Sequence, residues 1–208
     1  MSAPRLRILL PSDVFPPRCG GAGWSAHALA LALIERGHAV TAIVPRQGGR
    51  GVTREEVLGV PTLRWGYRAP RIPFVQNYFR HERLWPRLAD VLVEIATNDE
   101  RRTTNDERRT TNDIRAVHEP PLHSSVVIHA QHIQTAPPAV LAGERLGAPV
   151  VVTVRDHWPW DYFATGLHGG YLPYGRQTWA SLATDLPARL GPARGAAALL
   201  AIPYMLAH

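Results

Sequence analysis

Three short stretches of this chain carry residue types that could do chemistry, and each follows an apolar run. The first is Ser12-Asp13-Val14-Phe15-Pro16-Pro17-Arg18-Cys19-Gly20-Gly21-Ala22-Gly23, after Leu6 to Pro11. A glycine-rich loop that leaves a strand and opens a helix exposes backbone N–H groups at the positive end of the helix dipole, which suits a phosphate or another anion. The same glycines would equally serve a tight turn that binds nothing. Gly21-x-Gly23-x-x-Ala26 also fits a dinucleotide fingerprint on paper. That fingerprint normally sits directly at the strand end, and Val44-Pro45-Arg46 offers no acid for a ribose. Arg46 could serve a 2′-phosphate, which leaves a NADP-dependent oxidoreductase domain as an alternative.

The second stretch is His129-Ala130-Gln131-His132, at the end of Val126-Val127-Ile128. A single histidine is more often structural, but two with a glutamine at a strand end could hydrogen-bond sugar hydroxyls or assist proton transfer. No third and fourth ligands cluster nearby, so no metal is expected. The third stretch is Arg155-Asp156-His157-Trp158-Pro159-Trp160, past Pro149 to Val154. Its charged groups could orient a ligand and its aromatic faces could stack on a sugar. An Arg155–Asp156 ion pair pinning a loop, with the tryptophans as packing, explains it equally well. No Gly-x-Ser-x-Gly elbow supports a serine hydrolase.

The elements that must position these groups follow from periodicity. Leu6 to Pro11 reads as a buried strand, and Trp24 to Arg36 as a helix with Gly37 as its stop. Ala39 to Val44 is a near-continuous apolar run, as expected of a parallel strand covered on both faces, with Pro45 ending it. Residues 47–51 read as a loop, Val60 to Trp65 as a third strand weakened by Pro61, and Asn77 to Ile95 as a helix. Strands at Ser125 to Ala130 and Pro149 to Val154 flank a helix over Ala136 to Leu146, which has prolines in its first turn. An irregular aromatic loop over 156–175 precedes helices at Gln177 to Leu190 and Gly195 to Ala207. Strand–helix alternation predicts an α/β, Rossmann-like, doubly wound parallel sheet. Residues 97–113 interrupt it with Thr-Asn-Asp-Glu-Arg-Arg-Thr twice over and then Thr-Asn-Asp. With no apolar residue this cannot be a coiled-coil seam, so it reads as a solvated insertion, either a helix extension or a disordered loop.

Composition narrows the classes. The 208 residues suffice for one α/β domain, 45% of them hydrophobic and 19% charged. The net charge of +6 comes from arginine alone, since the chain has no lysine. The arginines are scattered in sequence with no basic helix, which argues against nucleic-acid binding. One cysteine, Cys19, excludes an internal disulfide and fits a cytoplasmic protein. No apolar stretch reaches the length of a membrane span, while peripheral contact with a cytoplasmic membrane face stays open.

Taken together in order, Pro16-Pro17-Arg18-Cys19-Gly20-Gly21 with Glu35-Arg36-Gly37-His38-Ala39-Val40, then Val127-Ile128-His129-Ala130-Gln131-His132, then Val151 to Pro159, resemble the N-terminal domain of GT-B glycosyltransferases of family 4. The resemblance implies a retaining transferase that moves a sugar from a nucleotide-sugar donor, without a metal or other cofactor, to a glycan, lipid or small-molecule acceptor. It places Gly20 and Gly21 at the donor's diphosphate or sugar. His129, Gln131 or His132 would contact the reacting sugar region, and Asp156 would line the acceptor side with Arg155, His157 and Trp158. His129, His132 and Asp156 are thus the catalytic candidates. Where the family often has His-x-His, this chain has Gln131 at the second position and His132 after it. The resemblance further implies a C-terminal donor domain carrying a paired-glutamate motif. The chain is therefore expected to be one half of a two-domain enzyme, 1–208 forming the acceptor-side domain, with little activity alone. A non-enzymatic ligand-binding module is the remaining alternative.

Overall fold

The computed structural model describes residues 4–70, 83–110, 126–132, 134–155, 167–168, 172–173 and 178–207, with side chains of the long helix described through 98. It divides into two compact units, one made of 1–71 and 76–153, the other of 72–75 and 154–208.

The first unit is built on a six-stranded sheet with the order β3-β4-β2-β1-β5-β6. Its strands are β1 (Arg7–Pro11), β2 (Ala39–Gln47), β3 (Gly51–Val57), β4 (Val60–Tyr67), β5 (Val126–Gln131) and β6 (Val150–Thr153). Five are parallel, and β3 joins the edge antiparallel to β4. This is the expected α/β, Rossmann-like sheet with one antiparallel addition. Helix α1 (Gly21–Glu35) covers one face, where Ala26 and Ala30 pack against Ile8, Leu10, Val40, Ala42 and Val44. Gly37 adopts φ 87°, and the amides of Gly37 and His38 return to the carbonyls of Ile34 and Leu33, closing the helix in a left-handed cap. Helices α2 (Leu84–Thr110) and α3 (Ala136–Leu146) complete the unit. Because β1 and β5 run parallel, the loops that follow them lie together at the carboxyl edge of the sheet.

Three local expectations change. Strand β3 starts at the last residue of the expected 47–51 loop and runs through a stretch with no expected element, its burial pattern exposed everywhere but at Val57. A polar edge strand has no apolar alternation to detect, and its charges blunt the edge. The two-residue turn Leu58-Gly59 has positive φ at both positions, as a tight hairpin demands. Pro45 does not end β2. The Ile43 carbonyl accepts from Ser12 N on the β1 side, so Pro45, two residues on, turns its missing N–H the same way, where β1 has already ended. Helix α1 begins at Gly21, three residues before Trp24. The repeat up to Thr110 continues α2 as helix, which is the helix-extension alternative.

Arg7 marks where that helix meets the sheet. Its guanidinium donates to the carbonyls of Ile95 and Ala96 at 2.7 and 2.6 Å, just before the repeat starts at Thr97. Buried Leu88, Leu92 and Ala96 all precede that point.

The second unit holds a short hairpin, β7 (Leu167–His168) with β8 (Leu172–Pro173), and helices α4 (Trp179–Leu190), α5 (Pro192–Ala198) and α6 (Ile202–Ala207). Thr178 and Ser181 form a reciprocal capping box at the start of α4. Leu182, Leu186, Ala198, Ile202 and Met205 form its core. The segment read as one helix to Ala207 is split by a 3-10 turn at Leu199–Ala201. Among the described residues, no helix is long and apolar enough to cross a membrane.

Candidate functional site

Polar side chains gather in the first unit at the carboxyl edge of β1, β5 and β6. Ser12 extends β1 and bridges to Gln131 at the end of β5. Parallel pairing sets Gln131 beside Thr153, the last residue of β6. The Thr153 hydroxyl accepts from the Gln131 amide at 3.2 Å and lies 2.9 Å from His129 Nε2. One hydroxyl therefore orients both side chains. His129 and Gln131 stand two residues apart on a strand and so share a face. Val127 on that face packs against the α1 core, which assigns the face to the α1 side. Gln131 is only 1% exposed, and His129 is half-buried.

His132 lies beyond the strand. Its backbone takes φ 81°, unusual for a residue with a side chain, and its carbonyl accepts from the amides of Thr135 and Ala136. Its Nδ1 sits 3.5 Å from Asp13 Oδ2, and the same oxygen accepts from the Gln134 backbone N–H at 2.9 Å. Asp13 thus ties the loop after β1 to the turn after β5. Its other oxygen, Oδ1, is buried without a hydrogen-bond partner. The nearby Thr135 hydroxyl has one proton, and the Gln131 carbonyl takes it at 2.6 Å. Burial pushes the Asp13 carboxyl above the usual carboxylate range, while the His132 imidazole and the Gln134 N–H pull it back down.

The glycines of the first loop separate by cause. A Cβ on Gly23 would fall 2.5 Å from Cys19 Sγ and 2.7 Å from Cys19 Cβ, so close packing requires glycine there. A Cβ on Gly20 or Gly21 would meet nothing within 4 Å. Gly20 has φ −82°, open to any residue. Neither crowding nor backbone conformation explains these two glycines. Helix α1 starts with no side-chain cap and no acid in its first turn, and the Gly21 and Ala22 amides have no partner among the described residues. The loop is held from below by Arg64, which donates to the Pro16 carbonyl at 2.9 Å and pairs with Glu55 at 2.6 Å.

Of the candidate residues, Gly20, Gly21, His129, Gln131 and His132 come to one edge of the first unit. Arg155 follows β6 by two residues and belongs to the second unit. Asp156, His157 and Trp158 lie outside the described residues. Three residues of the site escaped sequence reasoning: Asp13, Thr135 and Thr153. The available signal was position, since polar residues just past buried parallel strands face the binding edge. Among the described residues, no three histidine, cysteine or acidic side chains cluster to hold a metal ion.

No curated protein matches the chain. A family profile described as a glycosyl transferase 4-like domain matches residues 20–202, which take in α1, the whole sheet beyond β1 and almost all of the second unit. The chain belongs to the glycosyl transferase 4-like domain family, and its domain is a glycosyltransferase domain.

Proposed function

We propose that the edge formed by Gly20, Gly21, His129, Gln131 and His132 is one wall of a retaining sugar-transfer site that uses a nucleotide-sugar donor. The observation that carries this reading is the uncapped start of α1 beside two glycines that the fold itself does not require. When the bond from the donor sugar's anomeric carbon to the diphosphate oxygen breaks, negative charge grows on the leaving phosphate. Free amides at a helix N-terminus stabilise that charge. The acceptor's hydroxyl oxygen forms the new bond and its proton leaves. His129 and His132 are the groups at this edge able to contact the reacting sugar and steer that proton.

The acceptor is a glycan, a lipid or a small molecule, and the cytoplasmic face of a membrane is a fitting place for it. No metal is needed in this scheme, because the helix amides serve the leaving group. The sequence contains no Glu-x7-Glu pair, the arrangement the family resemblance assigns to donor binding in a partner domain. The 208-residue chain alone therefore binds donor weakly and turns over negligibly. Calorimetric titration with UDP- and GDP-sugars, alongside NADPH, tests the reading. Binding of at least one nucleotide-sugar, with NADPH weaker, is the expected result. NADPH binding tighter than every nucleotide-sugar would reverse it. So would robust sugar transfer by the isolated chain for the claim that it is one half of an enzyme.

A further inference from the structure

We propose that Asp13 is a positioning residue for His132, setting the orientation of the imidazole at the transfer edge. The inference rests on the reading of that edge as the transfer site, and it adds a residue from β1's side that the family resemblance did not supply.

Asp13 reaches across from the loop after β1 to the turn after β5. One oxygen accepts the Gln134 N–H at 2.9 Å and faces His132 Nδ1 at 3.5 Å. The His132 side chain is 25% exposed and the Asp13 side chain 9%, so a sheltered carboxylate backs an accessible imidazole. A carboxylate beside Nδ1 favours the tautomer with its proton there and raises the basicity of the ring. His132 also holds a left-handed backbone conformation, which costs energy and persists where neighbouring contacts impose it. Purely structural anchoring does not require a charge. An amide oxygen would accept the Gln134 N–H as well, so that bond alone does not call for a carboxylate. His132 is the only charged group among the described residues that acts on Asp13. Its other neighbours, the Gln134 N–H and the Thr135 hydroxyl at the start of α3, are uncharged.

The experiment is an NMR titration of the His132 imidazole in histidine-labelled wild type and Asp13→Asn, assigned with His132→Gln. The expected result is an apparent His132 pKa about one unit lower in Asp13→Asn, the size of effect an opposite charge within a few ångströms produces. The melting temperature of that variant should equal or exceed wild type. His132 titrating identically in both proteins overturns the proposal. Should Asp13→Asn fail to fold, the reciprocal measurement decides. In His132→Gln the Asp13 side-chain carboxyl carbon should titrate at higher pH than in wild type, and no change overturns the proposal. UDP-glucose added to the same wild-type sample separates the two ideas. Coupling present without any amide shift at Gly20 to Ala22 sustains the Asp13 assignment and removes the donor-site reading beneath it.

Discussion

Two helices begin at the same edge of the sheet, and they begin in opposite ways. The start of α3 is closed by the chain itself. Its approach amides are spent on Asp13 and the His132 carbonyl, and Pro137 and Pro138 remove two more donors. The start of α1 is left open, uncapped and flanked by Gly20 and Gly21, with space where side chains would fit. Every helix leaves its first N–H groups unsatisfied, and a protein ordinarily covers them. That contrast is what the proposed donor site at the start of α1 rests on.

Filling the open end should have the largest effect on binding. Gly20→Val with Gly21→Val is expected to weaken nucleotide-sugar binding about tenfold or more, the worth of one or two charge-assisted hydrogen bonds. Its melting temperature should stay near wild type, because the added atoms meet open space. Gly23→Ala should do the reverse, costing about 1–3 kcal/mol by chemical denaturation through its clash with Cys19. A binding loss at Gly23 that matched the Gly20/Gly21 pair, without a stability loss, would break the distinction.

Opening the closed end comes next. Asp13→Ala strands the Gln134 N–H and should cost about 1–3 kcal/mol, much of which Asp13→Asn recovers. Acidity gives this pair a signed test. The folded carboxyl titrates above its unfolded counterpart because burial disfavours its charge, so between those two pKa values the folded state holds the extra proton. Stability of the wild type relative to Asp13→Asn therefore falls as pH rises through that window, and is regained on acidification. Melting curves of both proteins across the acidic range check the sign. Loss of the wild type's relative stability on acidification would contradict it.

Thr153 tests the same wall from β6. Thr153→Val removes the oxygen that accepts from Gln131, whose amide is almost wholly buried, and should cost about 1–2 kcal/mol, with Thr153→Ser restoring most of it. The smallest effect belongs to the repeat. Deleting residues 104–110 removes one copy beyond the point where Arg7 meets α2, and should change stability by less than about 0.5 kcal/mol. A larger loss would give the repeat a packing role.

The comparison also separates what the sequence could reveal from what it could not. The apolar runs at β1, β2 and β5 declared a parallel sheet, because strands covered on both faces show their burial directly, and the equally apolar β6 proved to be an edge strand with Val151 exposed. The Gly37 and Gly147 stops were equally plain, both now in left-handed caps. Edge strand β3 stayed silent because an exposed polar strand owes its existence to pairing with β4, which no local pattern records. Gly20, Gly21 and the His129–His132 group were visible as residue types at strand ends. Asp13 was not, since its role depends on a contact 121 positions away, and a lone aspartate in a loop reads as a turn residue. Even the glycines needed coordinates, because spacing treated Gly21 and Gly23 as one fingerprint while packing gives them different causes.

The central claim is that the open start of α1 receives the donor's diphosphate, and backbone amide mapping tests it most directly. Isotope-labelled chain titrated with UDP-glucose should show its largest amide shifts at Gly20, Gly21 and Ala22, with smaller ones at His129 and His132. Saturating nucleotide-sugar that leaves those three amides unmoved would contradict the account.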